Sequence, residues 1–164
     1  MNARTRSLVF TVFSLLLGQQ VEAGLLDSAS PMIYGMFGQV VYRMASIQYH
    51  PGVVNTVVLC TNVDDAPAGV VLELFDRNDR PTGTLDSVEV AAGGTVTFVT
   101  SADWAEQDWV VVRGLRSLDD GKARVSATTT RLSCTGNHRI RAVDGTMQDT
   151  PLELVKKVAR DARR

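Results

Sequence analysis

Two histidines, His50 and His138, are the side chains of this 164-residue chain best suited to act as bases at neutral pH, and neither sits in a catalytic motif. His50 precedes Pro51-Gly52 in a turn sequence, and His138 lies in the basic, polar stretch Asn137-His138-Arg139, so both read as surface histidines. A Ser-His-Asp site can be assembled from distant segments, but the chain has no Gly-x-Ser-x-Gly elbow to present a nucleophile. Its two cysteines, Cys60 and Cys134, are better explained as a structural bridge than as a nucleophile. These residues imply a non-enzyme with no cofactor and no catalytic set. An exported hydrolase with a loop-built site is the alternative.

Acidic pairs stand at Asp64-Asp65, at Asp76 with Asp79, and at Asp119-Asp120, each where a strand is expected to end. Oxygen ligands for calcium could gather there, but none matches the twelve-residue calcium loop. Turn formation and solvated charge account for them, so no metal site is expected; convergence of two such tips is the alternative reading. Trp104 and Trp109 flank Ala105-Glu106-Gln107-Asp108. Trp109, beside a β-run, should pack at a strand. Trp104 is the better candidate for an exposed aromatic of an interaction surface, the other option being a ring folded over a sheet edge. Tyr34, Met36 and Phe37 carry little charge nearby; they either close one end of the core or form a sticky segment open to partner strands.

The start of the chain sets the compartment. Arg4 and Arg6 precede an apolar run from Leu8 to Leu17, and Val21-Glu22-Ala23 offers small residues at the two positions a signal peptidase reads. The run is about ten residues, short of the ~20 a spanning helix needs. Residues 1–23 are therefore expected to be a signal peptide with an N-terminal signal helix, and the rest to be secreted or periplasmic. There, Cys60 and Cys134 would meet oxidising conditions and bond to each other, two free thiols being the alternative. A loop of 74 residues corresponds to roughly 4.5 kcal/mol in the chain-entropy model.

From Gly38 to Cys134, short β-branched runs alternate with turn sequences and no stretch keeps a 3.6-residue period. The class is all-β: about seven antiparallel strands, near 38–48, 54–62, 69–76, 84–90, 94–101, 108–115 and 123–135, in a sandwich over residues 24–149. Val70, Leu72 and Leu74 share a face, as do Val88 with Val90 and Val96 with Phe98. Val125 and Ala127 fall on one parity and Leu132 and Cys134 on the other, which predicts a β-bulge at Thr128-Thr129-Thr130. Asp76 to Pro81 and Ala91 to Gly94 are turn sequences.

Cys60-Thr61-Asn62, the run Val70 to Asp76, Arg80-Pro81-Thr82-Gly83-Thr84, Ala92 to Phe98, and Ala123 to Thr128 leading to Leu132-Ser133-Cys134-Thr135 resemble a loose group of uncharacterised secreted bacterial proteins with an immunoglobulin-like or fibronectin-like sandwich. The likeness covers about 55–135. It implies a fold and a compartment and supplies no catalytic residue. No Trp stands in the third strand, where an antibody-type domain packs one on its disulfide; Phe75 is the nearest large residue.

Thr135 to Asp149 reads as a polar surface linker. Thr150-Pro151-Leu152-Glu153 then fits a capping box with Pro at the first helical position, so 151–162 should be a short C-terminal helix within a basic tail, 150–164. That tail carries Lys156, Lys157, Arg160, Arg163 and Arg164 against two acids, whereas 24–149 has a formal charge of −5. So little net positive charge argues against nucleic acid as a partner. The expected function is an exported interaction or structural module with an unknown protein or envelope component as partner. A cell-envelope surface component, touching an anionic surface through the tail, is a further alternative.

Overall fold

The computed structural model describes residues 30–83 and 87–157. Residues 1–23, with the expected signal helix, lie outside it, as do 158–164.

The short β-branched runs form strands in two larger sheets. In the first, β3 (Gln39–Tyr49) pairs with β10 (Leu118–Ala127), β10 with β5 (Ala68–Phe75), and β5 with both β6 (Pro81–Thr82) and β7 (Val88–Val90). In the second, β11 (Leu132–Arg141) pairs with β4 (Val54–Asn62), β4 with β8 (Thr95–Val99), and β8 with β9 (Val110–Val111). A separate hairpin joins β1 (Met32–Ile33) to β2 (Met36–Phe37). All these pairs are antiparallel except β8 with β9. One buried cluster draws Val41, Leu72 and Val125 from the first sheet and Val58, Val96 and Phe98 from the second, so alternation on facing strands fills a shared core.

Among the described residues there are thirteen strands rather than about seven. The expected strand 84–90 is reduced to Val88–Val90 with 84–86 outside the described residues, and 108–115 to Val110–Val111. The expected bulge at Thr128-Thr129-Thr130 is instead a reversal between β10 and β11. The Thr129 hydroxyl accepts the Arg131 amide at 3.1 Å and donates to Asp64 at 2.6 Å. The reversal lets Val125, Ala127 and Leu132 all reach the core.

The C-terminal helix is overturned over 151–157. The supposed linker and cap become the end of β11, β12 (Met147–Leu152) and β13 (Leu154–Lys156). β12 pairs with β11 at one sheet's edge, and β13 pairs with β3 at the other's. The chain changes sheets at Glu153. Pro151 stands opposite Asn137 on the outermost strand, where a missing N–H is tolerated. Leu152 and Leu154 follow a two-residue period and pack on Gly136, where a Cβ would lie 3.3 and 3.1 Å from their methyls. That tertiary contact outweighs the local capping signal.

Cys60 and Cys134 are bonded and stand directly opposite each other in β4 and β11. The bond therefore joins neighbours in one sheet, whereas the antibody-type disulfide links two sheets.

Candidate functional site

Among the described residues, the β1–β2 hairpin gathers four of the ten large exposed apolar side chains. Its two central residues, Tyr34 (φ 49°) and Gly35 (φ 78°), both lie in the left-handed region, as a two-residue hairpin turn requires. Alternation divides the side chains. Ile33 points inward and is completely buried, in a socket formed where Gly38 and Gly69 lack side chains; a Cβ at Gly38 would stand 2.7 Å from Ile33 Cδ1, and one at Gly69 would overlap Ile33 Cγ2. The Tyr34 hydroxyl donates to the Ser87 carbonyl at 2.8 Å. Pinned in this way, the hairpin presents Met32, Tyr34, Met36 and Phe37 to solvent at 54–79% exposure. Most of the large exposed apolar side chains of a monomer occur singly, so four on six consecutive residues make the hairpin a candidate contact surface.

A second candidate is a polar network inside the molecule. The Asn55 carboxamide oxygen accepts the Thr100 amide at 3.1 Å and also the Thr100 hydroxyl. The Thr56 amide donates to that hydroxyl at 2.9 Å. On the core side, the Thr56 hydroxyl donates to the Gln48 carbonyl at 2.8 Å and meets His138 Nδ1 at 3.2 Å. His138 is thus buried, which corrects its reading as a surface residue. It occupies the inward row Leu132, Cys134, Gly136, His138, Ile140 of β11. Desolvation holds the His138 pKa below the usual histidine range, partly offset by the Ser46 backbone carbonyl, which favours the protonated ring. His138 and Ser46 line a cavity of about 340 Å³ with Leu152, Glu153 and Val155, at the point where the chain changes sheets. Ser46 has φ 59°, at a register shift between β3 and β10. The Thr56 hydroxyl is buried and committed to a carbonyl, so it is no accessible nucleophile for His138.

No family model matches the chain, nor does any curated protein. A solved structure, that of Thermotoga maritima 1070, is similar at 11% identity with a TM-score of 0.48, over 72% of this chain and 96% of that one.

The remaining residues singled out from sequence are scattered. His50 has a different partner from His138: its Nε2 meets Asp119 Oδ1 at 2.5 Å in an exposed pair. The acids go into turns and ion pairs. Asp76 accepts the amides of Asn78 and Arg80 at 2.8 and 2.9 Å, and Asp79 meets Lys122 at 2.7 Å. Asp64 takes up Thr129 and Arg131, and its pKa is lowered, chiefly by the Thr129 hydroxyl and then by hydrogen bonds from Asp65. Among the described residues, no three His, Cys, Asp or Glu side chains converge as a metal site would need. Trp104 ends a 3-10 turn, Ala102–Trp104, and half-buried Trp109 lies under the Arg139 guanidinium at 5.6 Å. Lys156 Nζ donates to the Leu132 carbonyl at 3.1 Å and sits 5.6 Å from the Tyr42 ring centre. Lys157 is exposed, while Arg160, Arg163 and Arg164 lie outside the described residues. The exposed apolar character of the hairpin was half legible, since Tyr34, Met36 and Phe37 stood out. The alternation that buries Ile33 was the unused signal.

Proposed function

We propose that this chain is an exported interaction or structural module, built on an immunoglobulin-like sandwich and working without an active site. The observation that carries the reading is the hairpin seated on Ile33 with Met32, Tyr34, Met36 and Phe37 turned to solvent. A socket of two glycines holding one isoleucine fixes the hairpin's position, which is useful to a contact surface and superfluous to a solvated terminus. The Cys60–Cys134 bond is compatible with an oxidising compartment and supports export, as does the order of basic, apolar and small residues over 1–23.

The test is a photo-crosslinking residue placed at Phe37 and, as a control, at Val143, which is fully exposed in the β11–β12 loop. In cells making the protein from its own start, position 37 should yield a discrete crosslinked product in the exported fraction and position 143 should not. Protein confined to the cytoplasm, or no product from position 37, refutes the proposal.

A further inference from the structure

We infer that the cavity where the chain crosses between the sheets is a binding site for a small primary alkylammonium ion, held by the Ser46 carbonyl, His138 and Glu153. The site shares no residue with the hairpin, so it stands whether or not the hairpin is a contact surface.

Irregular backbone on both sides builds the cavity. β3 loses register with β10 between Met44 and Ile47, and there Ser46 takes a left-handed φ of 59° that residues other than glycine seldom adopt. From this position the Ser46 carbonyl hydrogen-bonds the His138 ring. β12 ends its pairing with β11 at Leu152 opposite Gly136, and β13 begins its pairing with β3 at Leu154 opposite Met44, so Glu153 spans the gap between the two sheet edges. The cavity of about 340 Å³ that results has Ala45 and Ser46 on one side, His138 on another, and Leu152, Glu153 and Val155 along the crossing. Its volume lies at the lower end of the ~300–1,000 Å³ range of small-ligand sites. A strained backbone beside a cavity that holds a buried titratable side chain is the pattern of a binding site.

The polar groups of the lining accept hydrogen bonds. The Thr56 hydroxyl gives its one proton to the Gln48 carbonyl at 2.8 Å, so in its 3.2 Å contact with His138 the ring Nδ1 is the donor. That tautomer leaves a lone pair on Nε2, on the side of the ring away from Thr56. Desolvation keeps the ring neutral at neutral pH, so the lone pair is available. The Ser46 carbonyl has a second lone pair beyond the one it offers the ring, and exposed Glu153 adds a carboxylate at the mouth. Among the described residues no Lys or Arg lines the cavity. Of the charges on the adjoining strands, Asp149 is paired with Arg139 and Lys156 donates to the Leu132 carbonyl. Three acceptors, one of them charged, match the three N–H donors of a primary ammonium. A metal ion would find only His138 and Glu153 as side-chain ligands. Ala45, Leu152 and Val155 offer an apolar wall to a short alkyl chain, which would cover Val155, 59% exposed.

The test is a proton NMR titration of the protein, whose only histidine ring signals come from His50 and His138. Near pH 7.5, n-butylammonium should shift the His138 signals with a Kd on the order of 1 mM. Those of His50, exposed and paired with Asp119, should stay in place. n-Butanol and butyrate should bind at least about tenfold more weakly, since neither brings a charged donor. Saturating n-butylammonium should lower the His138 pKa, because proton and ligand compete for Nε2. Glu153→Gln, at an exposed position, should weaken binding about two- to fivefold. His138→Phe, with melting checked, should weaken it about tenfold or more. Nα-acetyl-lysine amide carries the same ammonium on a similar stem: binding as tight as that of n-butylammonium identifies a partner's lysine as the source of the ligand, and much weaker binding identifies a free amine. Absence of a His138 shift at about 20 mM n-butylammonium, equal binding of n-butanol, a His138 pKa unmoved by saturating ligand, or binding indifferent to both substitutions overturns the inference.

Discussion

Gly69→Ala should destabilise the protein although every local rule says otherwise. Gly69 lies in β5, between β7 and β10, and its φ is not in the left-handed region. In such a strand, Ala ordinarily gains roughly 0.5–1 kcal/mol over Gly through backbone entropy. Here the new methyl would occupy the space of Ile33 Cγ2 and stand 3.0 Å from the Tyr34 ring. The least costly response is for the small hairpin to leave its socket. That exposes the Ile33 side chain, worth about 1.5–3 kcal/mol, and breaks the Tyr34 to Ser87 hydrogen bond, worth about 0.5–1.5 kcal/mol. The net expectation is a loss of about 1–4 kcal/mol. The mechanism also predicts a coupling: with Ile33→Ala already present, the methyl finds room, and Gly69→Ala should become neutral or stabilising by up to about 1 kcal/mol. Urea unfolding of both single variants and the double variant reads this directly. If Gly69→Ala stabilises the unmodified protein, or if the two losses simply add, the socket does not hold the hairpin.

Breaking the Cys60–Cys134 bond, by reduction or as Cys60→Ala with Cys134→Ala, should cost about 2–4 kcal/mol in thermal or denaturant unfolding, and alkylation of unreduced protein should modify neither sulfur. His138 makes stability depend on pH. Because its folded pKa lies below the unfolded value of 6.5, its full contribution is present above 6.5, and stability falls as acidification lets the unfolded chain bind the proton first. The fall from about 6.5 downward should disappear in His138→Gln. The separate contributions of Asp64 and Asp144, whose pKa values are lowered foremost by Thr129 and Thr146, should be lost only below about 3.8. Truncation after Asp149 should lower stability by roughly 2–4 kcal/mol through loss of half-buried Leu152 and Leu154; an unmoved melting temperature would show that β13 does not hold its sheet edge.

The features legible in the sequence were those set by near neighbours. β4 coincides with 54–62, the Val70, Leu72, Leu74 face is buried, and the Asp76 and Gly93 turns form as their chemistry dictates. What escaped depends on distant partners. The reversal at Thr128 to Arg131 contains no glycine or proline and is held by Asp64, more than sixty residues away. Thr150 to Glu153 satisfies a helix-start pattern, yet the edges of β3 and β11 offered more hydrogen bonds and a glycine-lined seat for two leucines. His138 was misplaced for the same reason: once its segment is a strand, parity alone sends it inward. The hairpin residues were noticed for their composition, but only the socket at Gly38 and Gly69 shows which side chain anchors and which four face outward.

The crossing at Glu153 has a consequence for the order of events during synthesis. A chain leaves the ribosome N-terminus first, so β3 and β11 exist, unpaired along their outer sides, before residues 147–156 have emerged. Bare strand edges invite pairing with other chains. The final strands close both at once, one on each sheet, with Pro151 and its missing donor left on the outermost strand. A nascent chain stalled short of residue 147 is therefore the species most prone to stick to its neighbours, and completion of residues 147–156 ends that hazard.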